Sequence, residues 1–389
     1  MNWRSVSLGQ AGTIVGGGTP STANSKHFGD GYPWITPKDL SRQRSRFVRT
    51  GERSITDSGL RASSAKLLPT GTVILSSRAP IGLTAIAAVP LTTNQGCRSF
   101  VPGDEVDTLF MYYLLGSMKD EFERRANGST FKEISGSTLS AIEVLLPPLE
   151  EQRGIAATLG ALDDKIESNR RAYSLLRELG MARFEYVISR GNERRLPLSD
   201  VSISIARGIA PNYADDDPLA PLVLNQRCVR DGRISLGPAR RMVDRQVAIA
   251  KKASSGDILV NSTGTGTLGR VGRWHKGSIF VDGHVSVVKP NSDVVPPTVL
   301  AYALFGREMD IEGLATGSTG QTELSPTMLG SLKVALPSVD FATELEGDLF
   351  ALERRSVQLE HEILLLGQIR DALLPELLSG RIRVSEAVA

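Results

Sequence analysis

The sequence is poor in the residues from which catalytic and metal centres are usually built: two cysteines and four histidines in 389 residues. Cys97 and Cys228 lie far apart, so neither a disulfide framework nor a cysteine-rich metal site is expected. His27, His275, His284 and His361 lack metal-ligand spacing, and no serine or cysteine nucleophile can be argued without a histidine partner. No GxxxxGK[ST] loop occurs, which excludes a P-loop ATPase. The two Pro-Pro pairs, 147–148 and 296–297, follow Leu and Val, whereas an adenine methyltransferase needs an Asn/Asp-Pro-Pro-aromatic loop. No run approaches the ~18 apolar residues that cross a bilayer. The start, MNWRSVSLGQAG, has no apolar signal core. A cytoplasmic protein without membrane contact or catalytic centre of its own is therefore expected.

Hydrophobic residues at 41% and charged residues at 23% are ordinary for a folded chain, and the length calls for two domains. The net charge of +2 is unevenly spread. Residues 1–148 carry 16 Lys/Arg against 12 Asp/Glu, whereas residues 339–389 carry 5 against 10. A mild basic bias in the globular parts permits phosphate binding without establishing it.

The chain repeats itself. Gly71–Ser77 resembles Gly256–Ser262, Thr93–Gly96 falls where Val281–His284 does, Gly128-Ser-Thr130 matches Gly317-Ser-Thr319, and Leu145–Pro147 matches Ala335–Pro337. The offset drifts only from 185 to 190, which small loop insertions explain. Within each copy, short β-branched runs (Thr72–Leu75, Ile258–Val260, Val285–Val288) predict strands, and Thr108–Arg125 and Thr298–Met309 predict helices.

A long helical pattern follows each copy. Ile155, Leu159, Leu162, Ile166, Asn169, Tyr173 and Leu176 step by four and three. Leu345, Leu349, Leu352, Ser356, Leu359, Ile363 and Leu366 do the same 190 residues later. That period of 3.5 predicts a coiled-coil seam, each helix being the other's obvious partner. Asn169 and Ser356 either fix the register of the seam or point slightly off it; the sequence leaves both open. Arg370 and Pro375 break the second pattern. The expected fold is α+β: two mixed β-rich modules (1–148 and 196–338), each followed by a spacer helix (149–195 and 339–389).

Gly264-Thr-Gly266-Thr-Leu-Gly269 spells a dinucleotide fingerprint, but Arg270-Val-Gly272 follows without helical period, so a turn is predicted.

Several segments resemble the specificity subunits of type I restriction-modification systems. Leu145–Arg153 (LLPPLEEQR), Leu162–Ile166 and Asn169–Arg171 are similar to their central conserved region, and Leu373–Arg383 to their closing motif. Tyr32–Asp39 and the turns Asn127–Lys132 and Thr316–Gln321 resemble parts of target recognition domains. Ser338-Val-Asp340 departs from Pro-Leu-Glu-Glu-Gln at the second helix entrance. The resemblance implies two target recognition domains reading a split, asymmetric double-stranded DNA site, with antiparallel helices setting the gap. It implies as partners two modification (methyltransferase) subunits, which would bring S-adenosylmethionine for adenine methylation. It also implies restriction (motor-nuclease) subunits, which would bring ATP and Mg. A type IIB-like system is the near alternative, and a helical protein-binding adaptor the distant one.

Arginine reads guanine and Asn or Gln reads adenine, while phosphates take Lys, Arg, Ser, Thr and backbone amides. The loop residues of these types near the repeat anchors are the candidates for DNA contact. In the first copy they are Thr36, Lys38, Arg78, Thr93, Asn94, Gln95 and Lys132. In the second they are Asn225, Arg227, Thr263, Thr265, Arg270, His284 and Gln321.

Overall fold

The computed structural model describes residues 3–128, 132–190, 193–316 and 322–384. These form two compact units, one of residues 1–170 with 360–389 and one of residues 171–359. Each unit thus takes in one module together with parts of both long helices.

The repeat seen in the sequence is a repeat of topology. In the first unit the strands β1 (Gly12–Gly16), β2 (Val73–Ser76), β3 (Thr84–Ala87) and β4 (Cys97–Pro102) pair in the order β1-β4-β2-β3, and Phe47–Val48 extends the far edge. In the second unit β5 (Ser202–Arg207), β6 (Ile258–Asn261), β7 (Val271–Arg273) and β8 (Val285–Pro290) pair in the order β5-β8-β6-β7, the same arrangement. The central strands β2 and β6 are buried along their whole length, as continuous apolar runs require. A small second sheet in each unit contains one parallel pair, Ile35 with Thr93 and Leu224 with Val281. Each module is closed by an antiparallel pair at its ends, Arg4 opposite Leu146 in one and Arg194 opposite Leu336 in the other.

The predicted helical patches are present but each is broken once. The first divides into Thr108–Ser117 and Lys119–Arg125, the second into Pro297–Leu304 and Glu308–Gly313.

The two long helices are α1 (Leu149–Ser189, 41 residues) and α2 (Val339–Leu378, 40 residues), each about 60 Å long at 1.5 Å per residue. Helix α2 passes through Pro375 to Leu378, and Leu377 and Leu378 are buried in the core of the first unit. Past Arg370, where the heptad pattern breaks, packing is therefore retained. None of the fourteen seam positions is exposed. In the first unit Asn169 donates to Glu362 (2.9 Å) and Arg370 to Asp163 (2.6 Å), an antiparallel pairing. In the second, Arg183 reaches Asp348 at 2.9 Å and Glu344 at 3.4 Å. Asn169 and Ser356 both point into the seam, at 2% and 7% exposure, the Ser356 hydroxyl donating to the Leu352 carbonyl.

Near each helix start the seam packs on a module as well as on the other helix. Ile155 and Leu159 belong to the apolar core of the first module, and Leu345 and Leu349 to that of the second. The stripe near each helix start is thus buried by the module together with the end of the other helix, Leu377 and Leu378 in the first unit and Phe184 in the second. Gln152 of the LPPLEEQ segment is fully buried at that junction. Its Nε2 donates to the carbonyls of Pro147 (2.8 Å) and Glu105 (3.0 Å), and its Oε1 accepts from the Asp107 amide (2.8 Å). Helix α2 lacks this glutamine. It anchors to its module through Glu346, whose carboxylate accepts from the Thr298 and Val299 amides (3.2 and 3.0 Å). The amides belong to a helix N-terminus, where a carboxylate is favoured.

Candidate nucleic-acid interface

Both modules build the same polar turn at the same end of the main sheet. In the first it is Thr93–Cys97, in the second Val281–Val285. The Asn94 amide donates to Ile35 O and the Asp282 amide to Leu224 O (2.9 and 2.7 Å). The Asn94 side chain accepts from the Gly96 amide and Asp282 from the His284 amide, both at 2.9 Å. Asn94 is therefore the counterpart of Asp282, and Gln95 of Gly283. Gly17 and Gly208 lie against these turns so closely that a Cβ would sit 1.9 Å from Asn94 O and 2.1 Å from Val281 O. Only glycine admits that approach. The hairpins between β2 and β3 and between β6 and β7 lie beside the turns. Ser77 N donates to Gly96 O and Ser262 N to His284 O (2.8 and 2.9 Å).

The Gly264–Gly269 fingerprint is one of these hairpins. Gly264, Gly266 and Gly269 all have positive φ, and strand β7 follows instead of a helix. Arg270 closes the loop by donating to Gly266 O (2.7 Å).

The candidates divide by exposure. Gln95, Lys132, Arg227, Thr265 and His284 are exposed on or beside the turns and hairpins; Lys38 is exposed too and pairs with Glu52 (2.7 Å). Gln95 is bonded to Thr19, and His284 Nδ1 to the Thr263 hydroxyl at 2.7 Å. Arg78, Asn94 and Arg270 are half-buried. Thr93 and Asn225 are buried. Asn225 spends its amide inside the module, donating to Pro238 O (2.7 Å) and accepting from the Arg227 amide (2.9 Å). Gln321, with the turn residues 129–131 and 317–320, lies outside the described residues.

Thr36 caps the helix Pro37–Arg42: its hydroxyl accepts from the Asp39 amide at 3.3 Å, and Asp39 accepts from the Thr36 amide at 2.9 Å. Thr36→Ala should cost the first unit about 1 kcal/mol of stability, with Thr36→Ser recovering most of it. Denaturant titration measures this; unchanged stability with weakened DNA binding would assign the hydroxyl to DNA instead.

Four charged or aromatic groups on or against the turns were not singled out from sequence: Arg98, Arg207, Tyr213 and Asp282. The Asp282 carboxylate accepts from the Tyr213 hydroxyl (2.8 Å), and the Arg240 guanidinium stacks 3.4 Å from the Tyr213 ring. Burial and the Asp282 hydrogen bond hold the Tyr213 hydroxyl above its ordinary pKa, so it remains a donor at neutral pH. Asp282 sat inside a repeat anchor, which was the available signal. Arg98 bonds Glu133, Arg207 bonds Gly283 and Tyr213 bonds Asp282, partners far away in sequence.

No group of side chains suited to holding a metal ion occurs among the described residues. Burial pushes the Cys97 thiol up to about 12 and raises that of Cys228, which keeps both out of the thiolate form that nucleophilic chemistry needs. No described helix is long and apolar enough to cross a membrane.

Residues 1–176 match the family model described as "Type I restriction modification DNA specificity domain". That match takes in the first module and most of the first long helix, a little under half of the chain. A specificity subunit of the type I restriction enzyme MjaIX of Methanocaldococcus jannaschii is 40% identical over 186 residues, 47% of this chain and 43% of that protein. The EcoR124I/EcoR124II specificity subunit of Escherichia coli is 28% identical over 193 residues, 48% of this chain and 46% of that one. The matched region thus spans about half the length of these curated relatives. The fold likeness is longer: a crystal structure of the type I restriction-modification S subunit from M. genitalium has a TM-score of 0.65 at 19% identity, covering 97% of this chain and 96% of that one. That likeness shows a shared fold over nearly the whole chain.

Proposed function

We propose that the chain is the non-catalytic recognition subunit of a type I restriction-modification complex, each unit reading one half of a two-part DNA site. The observation that carries this reading is the duplicated turn-and-hairpin edge, which presents polar side chains at the same place in both modules. The side chains differ: Gln95 and Arg78 in one, His284, Thr263 and Thr265 in the other. Different side chains on the same frame imply different half-sites, hence an asymmetric target. The exposed and half-buried candidates on the turns and hairpins are the base and phosphate contacts. Lys38 and Thr36 lie on a helix next to them. Domain limits follow the repeat, with recognition domains at 1–148 and 196–338 and spacer helices at 149–195 and 339–389.

Methyltransferase subunits, carrying S-adenosylmethionine, dock on the long helices, and ATP-dependent, Mg-requiring restriction subunits join them. Exposed apolar pairs support two equivalent docking sites. Leu175 and Leu179 are 57% and 56% exposed, and Leu365 and Ile369, 190 residues later, are 48% and 40% exposed. Apolar residues four apart on a helix share one face, as a groove-binding partner requires.

The test is adenine-methylation sequencing of the source genome with and without the gene, with salt titration of DNA binding by the purified chain and its modification subunit. A two-part asymmetric site should lose its methylation on deletion, and binding should weaken steeply with salt. An unchanged methylome together with no DNA binding would refute the proposal.

A further inference from the structure

Each unit holds an arginine between the recognition turn and a glutamate on a neighbouring segment, by two different routes; in the first unit the same glutamate, Glu133, also pairs with Arg78 at 3.6 Å. In the first unit Arg98, on β4, donates to Glu133 Oε1 (3.0 Å) and to the Gln95 carbonyl (3.2 Å). In the second, Arg207, on β5, donates to Gly283 O (2.8 Å) and pairs with Glu323. Gln95 and Gly283 are the same position of the turn. Glu133 and Glu323 are also equivalent: the residue after each donates to the hairpin, Ile134 N to Ser77 O (3.1 Å) and Leu324 N to Ser262 O (2.9 Å).

The two arginines are not equivalent in sequence. Gly16 pairs with Arg98 across β1 and β4, and Arg207 pairs with Ser286 across β5 and β8. These are the same rung of the same ladder, since Gly17 and Gly208 follow it and donate to Cys97 O and Val285 O respectively. Residues opposite each other across a ladder have Cβ atoms about 5 Å apart on one face of the sheet. The guanidinium has therefore moved to the opposite strand while its place, its carboxylate and its turn carbonyl have stayed. Chance pairing of a surface arginine does not reproduce both partners from a new strand.

We infer that Glu133 and Glu323 are positioning residues for DNA recognition, holding Arg98 and Arg207 against the base-reading turn and away from the phosphates. This rests on the DNA-binding reading above. Arg98 and Arg207 are 21% and 26% exposed, near enough to the surface for a released guanidinium to reach phosphate. The carboxylate thus serves discrimination. It neutralises a charge that would otherwise bind any sequence, and it fixes the turn that carries Gln95 or His284.

The test uses the full chain and a short random-sequence duplex. Glu133→Gln and Glu323→Gln should each steepen the log–log salt dependence by about one phosphate contact, and strengthen random-sequence binding about tenfold at 0.1 M salt. The combined variants E133Q/R78Q/R98Q and E323Q/R207Q should lose that gain, because the released arginines supply it. Unchanged slopes in the single variants, or a gain that persists in the combined ones, would overturn the proposal. Circular dichroism of each variant separates these outcomes from misfolding. A wild-type chain that binds no duplex, alone or with its modification subunit, would instead refute the DNA-binding reading itself.

Discussion

Glu353→Ala is expected to destabilise the second unit by about 3–5 kcal/mol. Glu353 and Arg273 form an ion pair at 11% and 6% side-chain exposure. Arg273 also donates to the Thr298 hydroxyl (2.8 Å), and His275 lies 3.4 Å from the second carboxylate oxygen. Removing the carboxylate strands a guanidinium that cannot lose its proton. Glu353→Gln keeps an acceptor and should cost less. A paired change of both residues to apolar ones should restore much of the loss, since a buried ion pair contributes little beyond what a well-packed apolar pair would. Hydrogen exchange of β5–β8 is the measurement, because a chain with two cores need not unfold in one step. Unchanged protection in Glu353→Ala would show that the pair is solvated.

The position has a counterpart in Asp163, 190 residues earlier, which accepts from the Tyr113 hydroxyl (2.7 Å) and from Arg370 (2.6 Å). Burial, then the bond to Asp163, push the Tyr113 hydroxyl far above its ordinary range, so it stays a donor at any working pH. Arg370 is 31% exposed, so removing Asp163 should cost less than removing Glu353.

Leu159→Ala and Leu349→Ala should each cost about 2–5 kcal/mol, and each in its own unit only. Both side chains are fully buried, and both sit in the apolar core of a module. A leucine that merely lined a helix seam could be relieved by a small shift of the partner helix; one enclosed by strands and a second helix leaves a cavity. Hydrogen exchange resolved by unit separates the two substitutions. Loss of protection in both units from either substitution, or a cost below about 1 kcal/mol, would contradict the assignment of these residues to separate cores.

The repeat and the two heptad stripes were legible because they depend on spacing alone, and burial follows the predicted stripes position by position. Strand positions such as Ile258–Val260 were legible from β-branched runs. That Ile155 and Leu345 face a module core was not, because an apolar stripe does not say what covers it. Thr36 illustrates ambiguity of a different kind. A loop threonine suits phosphate, yet Thr36-Pro-Lys-Asp39 also reads as a capping box, and the structure uses it as one. Thr93 and Asn225 have the right chemistry and face inward, which residue type alone cannot reveal. The Arg98–Glu133 and Arg207–Glu323 pairs span 35 and 116 residues, and the exchange of arginine between opposite strands defeats any alignment of the two copies by offset.

The pairing of Arg4–Ser7 with Glu143–Leu146, and of Glu193–Pro197 with Lys333–Pro337, brings the first and last strands of each module side by side. Chain enters and leaves through one narrow doorway. Whatever is lengthened, trimmed or exchanged beyond that doorway leaves its two jambs the same distance apart, so the helix that follows need not move. A module with an unrelated interior could be spliced onto the same frame, provided its ends still zip together in the same register.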